Sequence, residues 1–223
     1  MMNLARRVAV IDDEPDGRDT IVDQLQDCDY DAIPILGPFG NRIDKLIDEV
    51  EGLDPSFVIC DQRLTAKQYA SFNGVEVVKR LIELKRPAML LTTYQDPDRV
   101  ALRLARSQIP VIRGRDTFRI EDIDALREVV QHEIEDTPVA SRKPHRVLMR
   151  VEAVREGYID IVIPSWNPNH AFALPVQLLG PAVRRSVKAG DYLLGEVNIG
   201  ATHEDELFFD NVDEVVEAAG NPF

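Results

Sequence analysis

Val8-Ala9-Val10-Ile11-Asp12-Asp13-Glu14-Pro15 is the stretch that decides the fold. Four apolar residues are too few for a helix, and two of them are valine and one isoleucine, as in a buried strand. Three carboxylates close the run. Pro15 then suits the first turn of a helix, where its missing N–H would have had no partner anyway. Strand, acidic turn and helix therefore follow one another directly.

Working outward, short apolar runs recur at residues 30–36, 57–60, 88–91 and 109–112. Between them the apolar residues change to helical spacing. Ile21, Leu25 and Cys28 make one stripe, and Ile43, Leu46, Ile47 and Val50 a second. Val75, Val78, Leu81 and Ile82 make a third, with a less clean one at Val100, Leu102 and Leu104. Ile120, Ile123, Leu126, Val130 and Ile134 form the last. Five strands alternating with five helices predict an α/β domain over residues 1–135. Its core is a doubly wound five-stranded parallel sheet, because parallel neighbours need a crossover. Strands that are apolar almost throughout fit a sheet covered on both faces.

DTPVASRKPHR, residues 136–146, breaks the pattern with two prolines and reads as a linker. Over residues 147–223 the grammar is different. Strand-like runs at 147–154, 158–163, 171–174, 192–199 and 206–212 are separated by turn residues such as Glu156-Gly157 and Gly190-Asp191. One short helix fits within 175–187 and another within 213–219. This part is expected to be a small all-β, barrel-like domain of the OB or SH3-like kind.

Composition narrows the function. The 223 residues carry a net charge of −13, and splitting them at residue 140 leaves both parts acidic, −9 and −4. Such a balance repels a phosphate backbone and argues against nucleic-acid binding driven by bulk charge. No apolar run is long enough to span a bilayer, and the N-terminus lacks the features of a secretory signal, so a cytoplasmic location is expected. Cys28 and Cys60 have no companion at zinc-ligand spacing, and the four histidines are scattered. No Ser/His/Asp or Cys/His set suggests an enzyme.

What remains is a convergence at one sheet edge. Ligands of open parallel sheets gather at the carboxyl ends of the strands. There this sequence places Asp12-Asp13-Glu14 after strand one, Asp61 after strand three, Thr92-Thr93 after strand four and Arg113 after strand five. Clustered carboxylates repel one another unless a metal or another cation sits among them.

VAVIDDEP, FVICDQRL, PAMLLTTYQD and VIRG, in that order, resemble the receiver domains of two-component response regulators. The resemblance covers about residues 6–135. It implies a flavodoxin-like fold, a histidine kinase as partner and Asp61 as the phosphoacceptor. It further implies Mg²⁺ held by Asp12, Asp13, Asp61 and the backbone carbonyl of Arg63. Thr92, the N–H of Thr93 and Arg113 would then bind phosphoryl oxygens. The sequence departs from the family in several places. Arg113-Gly114 stands for the usual Lys-Pro, and Pro110 for the usual aromatic switch residue, which puts the ring-based coupling in question. The loop QRLTAKQYASFNG before Gly74 is long, and reads as a lid or partner surface, or equally as a tolerated surface insertion. Tyr94 occupies a position that tunes dephosphorylation, where a bulky ring would slow the approach of water.

The second domain shows no helix-turn-helix pattern. Arg184, Arg185 and Lys188 form a small basic cluster, with Arg142, Lys143 and Arg146 in the linker, and Tyr158, Trp166, Phe172 and Tyr192 are the domain's candidate stacking set. Trp166, in SWNPNHAF, is either an exposed anchor for a protein partner or a plug for the barrel end. The preferred reading is a phosphorylation-controlled signalling protein whose β-rich domain binds an unknown protein target, with a homodimer as a further option. The alternatives are a phosphorylation-independent pseudo-receiver and a single-stranded nucleic-acid-binding regulator. A phosphatase using Asp61 would want a second acid two residues on, and that residue is Arg63.

Overall fold

The computed structural model describes residues 6–93 and 96–216. Tyr94 and the end of the expected tail helix lie outside the described residues. The chain divides into two units. One takes Met1–Gln95 and Gln108–Thr137, the other Asp96–Ser107 and Pro138–Phe223. The helix near residue 100, which its place in the sequence assigns to the first domain, groups with the second unit.

The first unit runs β1 (Arg7–Ile11), α1 (Pro15–Asp27), β2 (Asp31–Ile35), α2 (Ile43–Leu53), β3 (Phe57–Asp61), α3 (Gly74–Glu83), β4 (Ala88–Thr92), β5 (Ile112–Gly114) and α5 (Ile123–Ile134), with α4 (Asp96–Ala105) belonging to the second unit. All pairings are parallel, in the order β2-β1-β3-β4-β5. Successive strand residues serve opposite faces. Val8, Val10, Phe57, Ile59, Met89 and Leu91 pack in one core with Ile21 and Leu25 of α1 and Ile123, Leu126 and Val130 of α5. The alternate residues Ala9, Ile11, Val58, Cys60 and Leu90 are equally buried, as are Leu46, Ile47 and Val50 of α2 and Val77, Val78 and Leu81 of α3. Burial on both sides explains why these strands read as uninterrupted apolar runs.

Helix α3 starts at Gly74 because Asn73 and Glu76 form a reciprocal capping box, each side chain accepting the other's backbone N–H at 3.1 Å. Strand β5 lies further along than its sequence suggests. Pro110 has no N–H to give a ladder, and pairing begins at Ile112 against Leu90. The strand consequently ends at Gly114 rather than Ile112.

The second unit contains α4, β6 (His145–Arg155), β7 (Tyr158–Val162), β8 (Ala171–Pro175), α6 (Pro181–Ser186), β9 (Tyr192–Val197) and β10 (Phe209–Val216). Its five strands form an antiparallel sheet in the order β10-β9-β6-β7-β8. One face buries Met149, Val151, Ile159, Ile161, Leu174, Leu193 and Val197. The sheet curls until Phe172 of β8 and Phe209 of β10 touch, ring centroids 5.7 Å apart, although no β8–β10 ladder is present among the described residues. Arg103 of α4 lies 6.0 Å from both rings and donates to the carbonyls of Glu204 (2.8 Å) and Leu207 (3.1 Å). Those contacts account for the allegiance of α4. The tail helix expected over 213–219 is strand as far as Val216, where Val215 and Val216 pair with Leu193 and Tyr192. Among the described residues no helix is long and apolar enough to cross a membrane.

Candidate phosphoacceptor site

Asp12 and Asp13 follow β1, and Asp61 ends β3; the two strands are hydrogen-bonded neighbours, so their ends bring three carboxylates together. An oxygen from each lies within 4.8 Å of the others. All three are deeply buried, with exposures of 1%, 5% and 9%. Removing like charges from water this way is costly. Burial is the main reason that the Asp13 and Asp61 carboxyls titrate above their ordinary range; for Asp13 the negative charge of Asp12 adds to it.

Backbone donors hold the acids in place. The N–H of Glu14 donates to Asp12 Oδ1 (2.9 Å) and that of Arg63 to Asp61 Oδ2 (2.9 Å). The N–H of Ala66 donates to Asp13 Oδ2. Ala66 belongs to the long loop after β3, for which the sequence allows a lid, a partner surface or a tolerated insertion. The loop is instead built into the first unit. Leu64, Tyr69 and Phe72 are buried, Tyr69 Oη donates to the carbonyl of Ile35 (2.9 Å), and its ring meets Phe39 edge-on at 5.3 Å.

The charge that balances the acids comes from a residue the sequence did not single out. Arg115 Nη2 lies 2.6 Å from Asp12 Oδ2 and 2.6 Å from Asp61 Oδ1, and its Nε donates to Asp61 Oδ1 at 3.1 Å. Burial works against its charge, but the bonds to the two acids hold the guanidinium protonated. The backbone N–H of Arg115 donates to the carbonyl of Thr92 (2.9 Å). Arg113, the expected cation, sits half-buried within β5 and donates to the Ile112 carbonyl at 3.3 Å. The two-residue displacement follows from the shift of β5. With the strand ending at Gly114, the first cation past its tip is Arg115. Pro110 was the signal that could have revealed it.

Two glycines keep the site open. A β-carbon on Gly17 would lie 3.2 Å from Asp12 Oδ2 and 3.3 Å from Arg115 Nη1. One on Gly74 would collide with the Asp61 carbonyl at 2.0 Å. Thr92 is buried at the end of β4 and Thr93 is exposed beside it. The donor set of Asp12, Asp13 and Asp61 consists of oxygen alone, which suits a hard divalent cation such as Mg²⁺ and disfavours soft metals.

A five-stranded parallel sheet in the order 2-1-3-4-5, with its acids at the switch point between β1 and β3, is the flavodoxin-like arrangement shared by receivers. The first unit has the flavodoxin-like fold. Neither a family model nor a curated protein sequence matches the chain. Among solved structures, NtrX from Brucella abortus is similar over 58% of this chain at 15% identity, with a TM-score of 0.43. That match spans 27% of the NtrX chain, about a quarter of its length. A chain in the complex of histidine kinase ThkA with response regulator protein TrrA is similar at 17% identity, covering 56% of this chain and 97% of that one, with a TM-score of 0.42. Chemotaxis protein CheY4 of Vibrio cholerae covers the same shares at 17% identity and a TM-score of 0.40.

Outside the first unit, the residues considered for binding are mostly used internally. Phe172 is buried in the β-sheet core. Trp166 packs against the same core, and its indole N–H donates to the Ala201 carbonyl at 2.8 Å, as a plug does. Arg142 is buried, stacks on Phe208 at 4.5 Å and donates to the Arg106 carbonyl at 3.1 Å. Arg184 donates to the carbonyls of Gln177 and Leu179. Tyr158 is exposed and Tyr192 half-buried. Phe172 and Trp166 from the supposed stacking set, and Arg142 and Arg184 from the basic residues, are thus committed internally.

Proposed function

We propose that this protein is a response-regulator-type signalling protein. Asp61 accepts a phosphoryl group from a partner histidine kinase in the cytoplasm, and the modification controls what the β-rich unit binds. The observation that carries the reading is the meeting of Asp12, Asp13 and Asp61 at the switch point of a 2-1-3-4-5 sheet. Structural needs alone do not call for three buried acids on two strand ends.

Asp12, Asp13, Asp61 and the carbonyl of Arg63 would hold Mg²⁺. When bound, the ion neutralises the non-bridging phosphoryl oxygens. The chain's own residues do the positioning. The Arg63 N–H holds Oδ2 of Asp61 and the Arg115 guanidinium holds Oδ1, which orients the carboxylate so that one of its oxygens bonds to phosphorus. As that bond forms, the phosphorus–nitrogen bond of the donor phosphohistidine breaks, and the released imidazole nitrogen regains a proton. The hydroxyl of Thr92, the N–H of Thr93 and the cation Arg113 would meet the phosphoryl oxygens. Only a few residues of chain separate Thr92 from Asp96, the first residue of the second unit. This short covalent path supports control of the β-rich unit, for which a protein target is the favoured ligand and self-association an option.

One observation favours the pseudo-receiver reading: Arg115 already neutralises two of the acids. Incubation with acetyl phosphate and Mg²⁺, followed by intact mass measurement, separates the two. One phosphoryl group is expected on the wild type and none on Asp61→Asn. No incorporation into the wild type, from acetyl phosphate or from phosphorylated histidine kinases, would leave the pseudo-receiver standing.

A further inference from the structure

The carboxylates of Asp12 and Asp61 have four oxygens between them, and each has an N–H partner. Asp12 Oδ1 and Asp61 Oδ2 accept backbone N–H groups of Glu14 and Arg63. Asp12 Oδ2 and Asp61 Oδ1 accept the single side chain of Arg115. An oxygen that accepts one hydrogen bond can still meet a metal. A cation drawing on both acids, however, would lie against the guanidinium of Arg115, 2.6 Å from Asp12 Oδ2 and from Asp61 Oδ1, and be repelled by it while that side chain stays. The backbone donors are fixed by the turns that follow β1 and β3. The side-chain donor is attached by a flexible stem and can leave by rotation about its own bonds.

Space for that departure adjoins the site. A cavity of about 620 Å³ lies beside Arg115, lined also by Gly17, Thr20, Phe118, Asp27 and Glu121. Gly17 leaves the path between acids and cavity clear, since any β-carbon there would press on both Asp12 and Arg115. The two acids on the lining offer a displaced guanidinium partners of the right charge.

We propose that Arg115 is a tethered counter-ion that competes with the divalent cation for Asp12 and Asp61, so that metal binding requires this side chain to swing out toward the adjoining cavity. The site thus has two mutually exclusive cations, one built into the chain and one from solution. The inner cation keeps the acids neutralised at low metal concentration, and metal affinity is set by the difference between the two. This inference rests on the reading of the acids as a divalent-cation site beside the phosphoacceptor.

The test is Mg²⁺ and Mn²⁺ binding to the full chain by calorimetry, for wild type, Arg115→Met and Arg115→Lys. Arg115→Met keeps much of the side-chain length without the charge, and is expected to bind the ion on the order of tenfold more tightly than the wild type. Arg115→Lys should fall between them and stands in if the Met variant is misfolded by circular dichroism. In the wild type, the Arg115 Nε–H resonance should move on metal addition as the guanidinium leaves Asp61. Equal or weaker binding by Arg115→Met, or a resonance that ignores bound metal, would overturn the competition while leaving the metal site intact. Absence of binding in every variant would overturn the metal site itself, and the competition with it.

Discussion

Gly74 and Asp61 are packed so closely that a β-carbon on residue 74 would sit 2.0 Å from the Asp61 carbonyl oxygen. The backbone N–H of Gly74 also donates to the Gln62 carbonyl at 2.9 Å, which ties the start of α3 to the end of β3. The relationship links a helix terminus to the position of Asp61, the proposed phosphoacceptor. It calls for glycine because of space, not because of an unusual backbone angle.

Gly74→Ala should therefore destabilise the first unit by about 1–3 kcal/mol, the usual cost of forcing a methyl group into a packed interior. Relief can come only by moving α3 or the end of β3. Chemical denaturation would measure the loss, and a slower phosphorylation of Asp61 in the folded fraction would show that β3 had yielded. Unchanged stability would mean that the contact relaxes freely.

Tyr69→Phe isolates the anchoring of the loop after β3. The phenol is buried, and burial pushes its titration up, so it remains an O–H donor throughout the ordinary pH range. Removing it leaves the Ile35 carbonyl without that partner while the ring contact with Phe39 persists. The expected loss is about 1–2 kcal/mol, independent of pH between neutral and mildly alkaline conditions. Hydrogen exchange at the Ala66 amide, which bonds to Asp13, should accelerate in the same variant.

These residues also show what a sequence can and cannot convey. Strands β1, β3 and β4 were legible because burial on both faces leaves nothing but apolar side chains between polar ends, and Asp12, Asp13 and Asp61 were legible as those ends. The role of Arg115 was not. It depends on where β5 stops, which is fixed by ladder pairing with β4 after Pro110 rather than by any periodicity. The loop carried a readable sign, since Leu64, Tyr69 and Phe72 are more apolar than an exposed lid would tolerate. The allegiance of α4 left little trace, because it rests on arginines that bridge residues far apart in the chain, Arg103 to the Glu204 and Leu207 carbonyls and Arg142 to the Arg106 carbonyl. In the second unit the turns revealed the strands, whereas strand order follows from pairings that no local pattern encodes.

Asn198 tests the second unit. Its side chain is fully buried and satisfies three backbone groups: it donates to the carbonyls of Ser141 (2.9 Å) and Glu206 (3.0 Å) and accepts the N–H of Phe208 (2.6 Å). Asn198→Ala would orphan all three at a cost of about 2–4 kcal/mol. Asn198→Asp should cost more, because a carboxylate oxygen would then face two carbonyls. Thermal unfolding followed by tryptophan fluorescence reports on this unit, since Trp166 is the only tryptophan in the chain. A loss below half a kcal/mol in the alanine variant would show that water replaces the side chain without penalty.

Asp13 provides the pH dependence. Its carboxyl is raised above the ordinary 3.8 first by burial and then by repulsion from Asp12, with the Ala66 N–H opposing both. The folded state therefore binds the proton more tightly than the unfolded chain does. Stability from this group is fully present below pH 3.8 and is lost as pH rises through the higher folded value. Asn cannot ionise, and its side-chain oxygen can still accept from Ala66. In the presence of chelator, Asp13→Asn should accordingly be more stable than the wild type at pH 7, with the advantage vanishing toward pH 3. Asp61 shifts in the same direction and is unchanged in the variant, so the difference between the two stability curves, not either curve alone, reports on Asp13. Saturating Mg²⁺ should reverse the order at pH 7, because an ion that binds only the folded wild type adds its binding free energy to stability. A variant less stable than the wild type at pH 7 without metal would mean that the charge of Asp13 is already compensated within the fold.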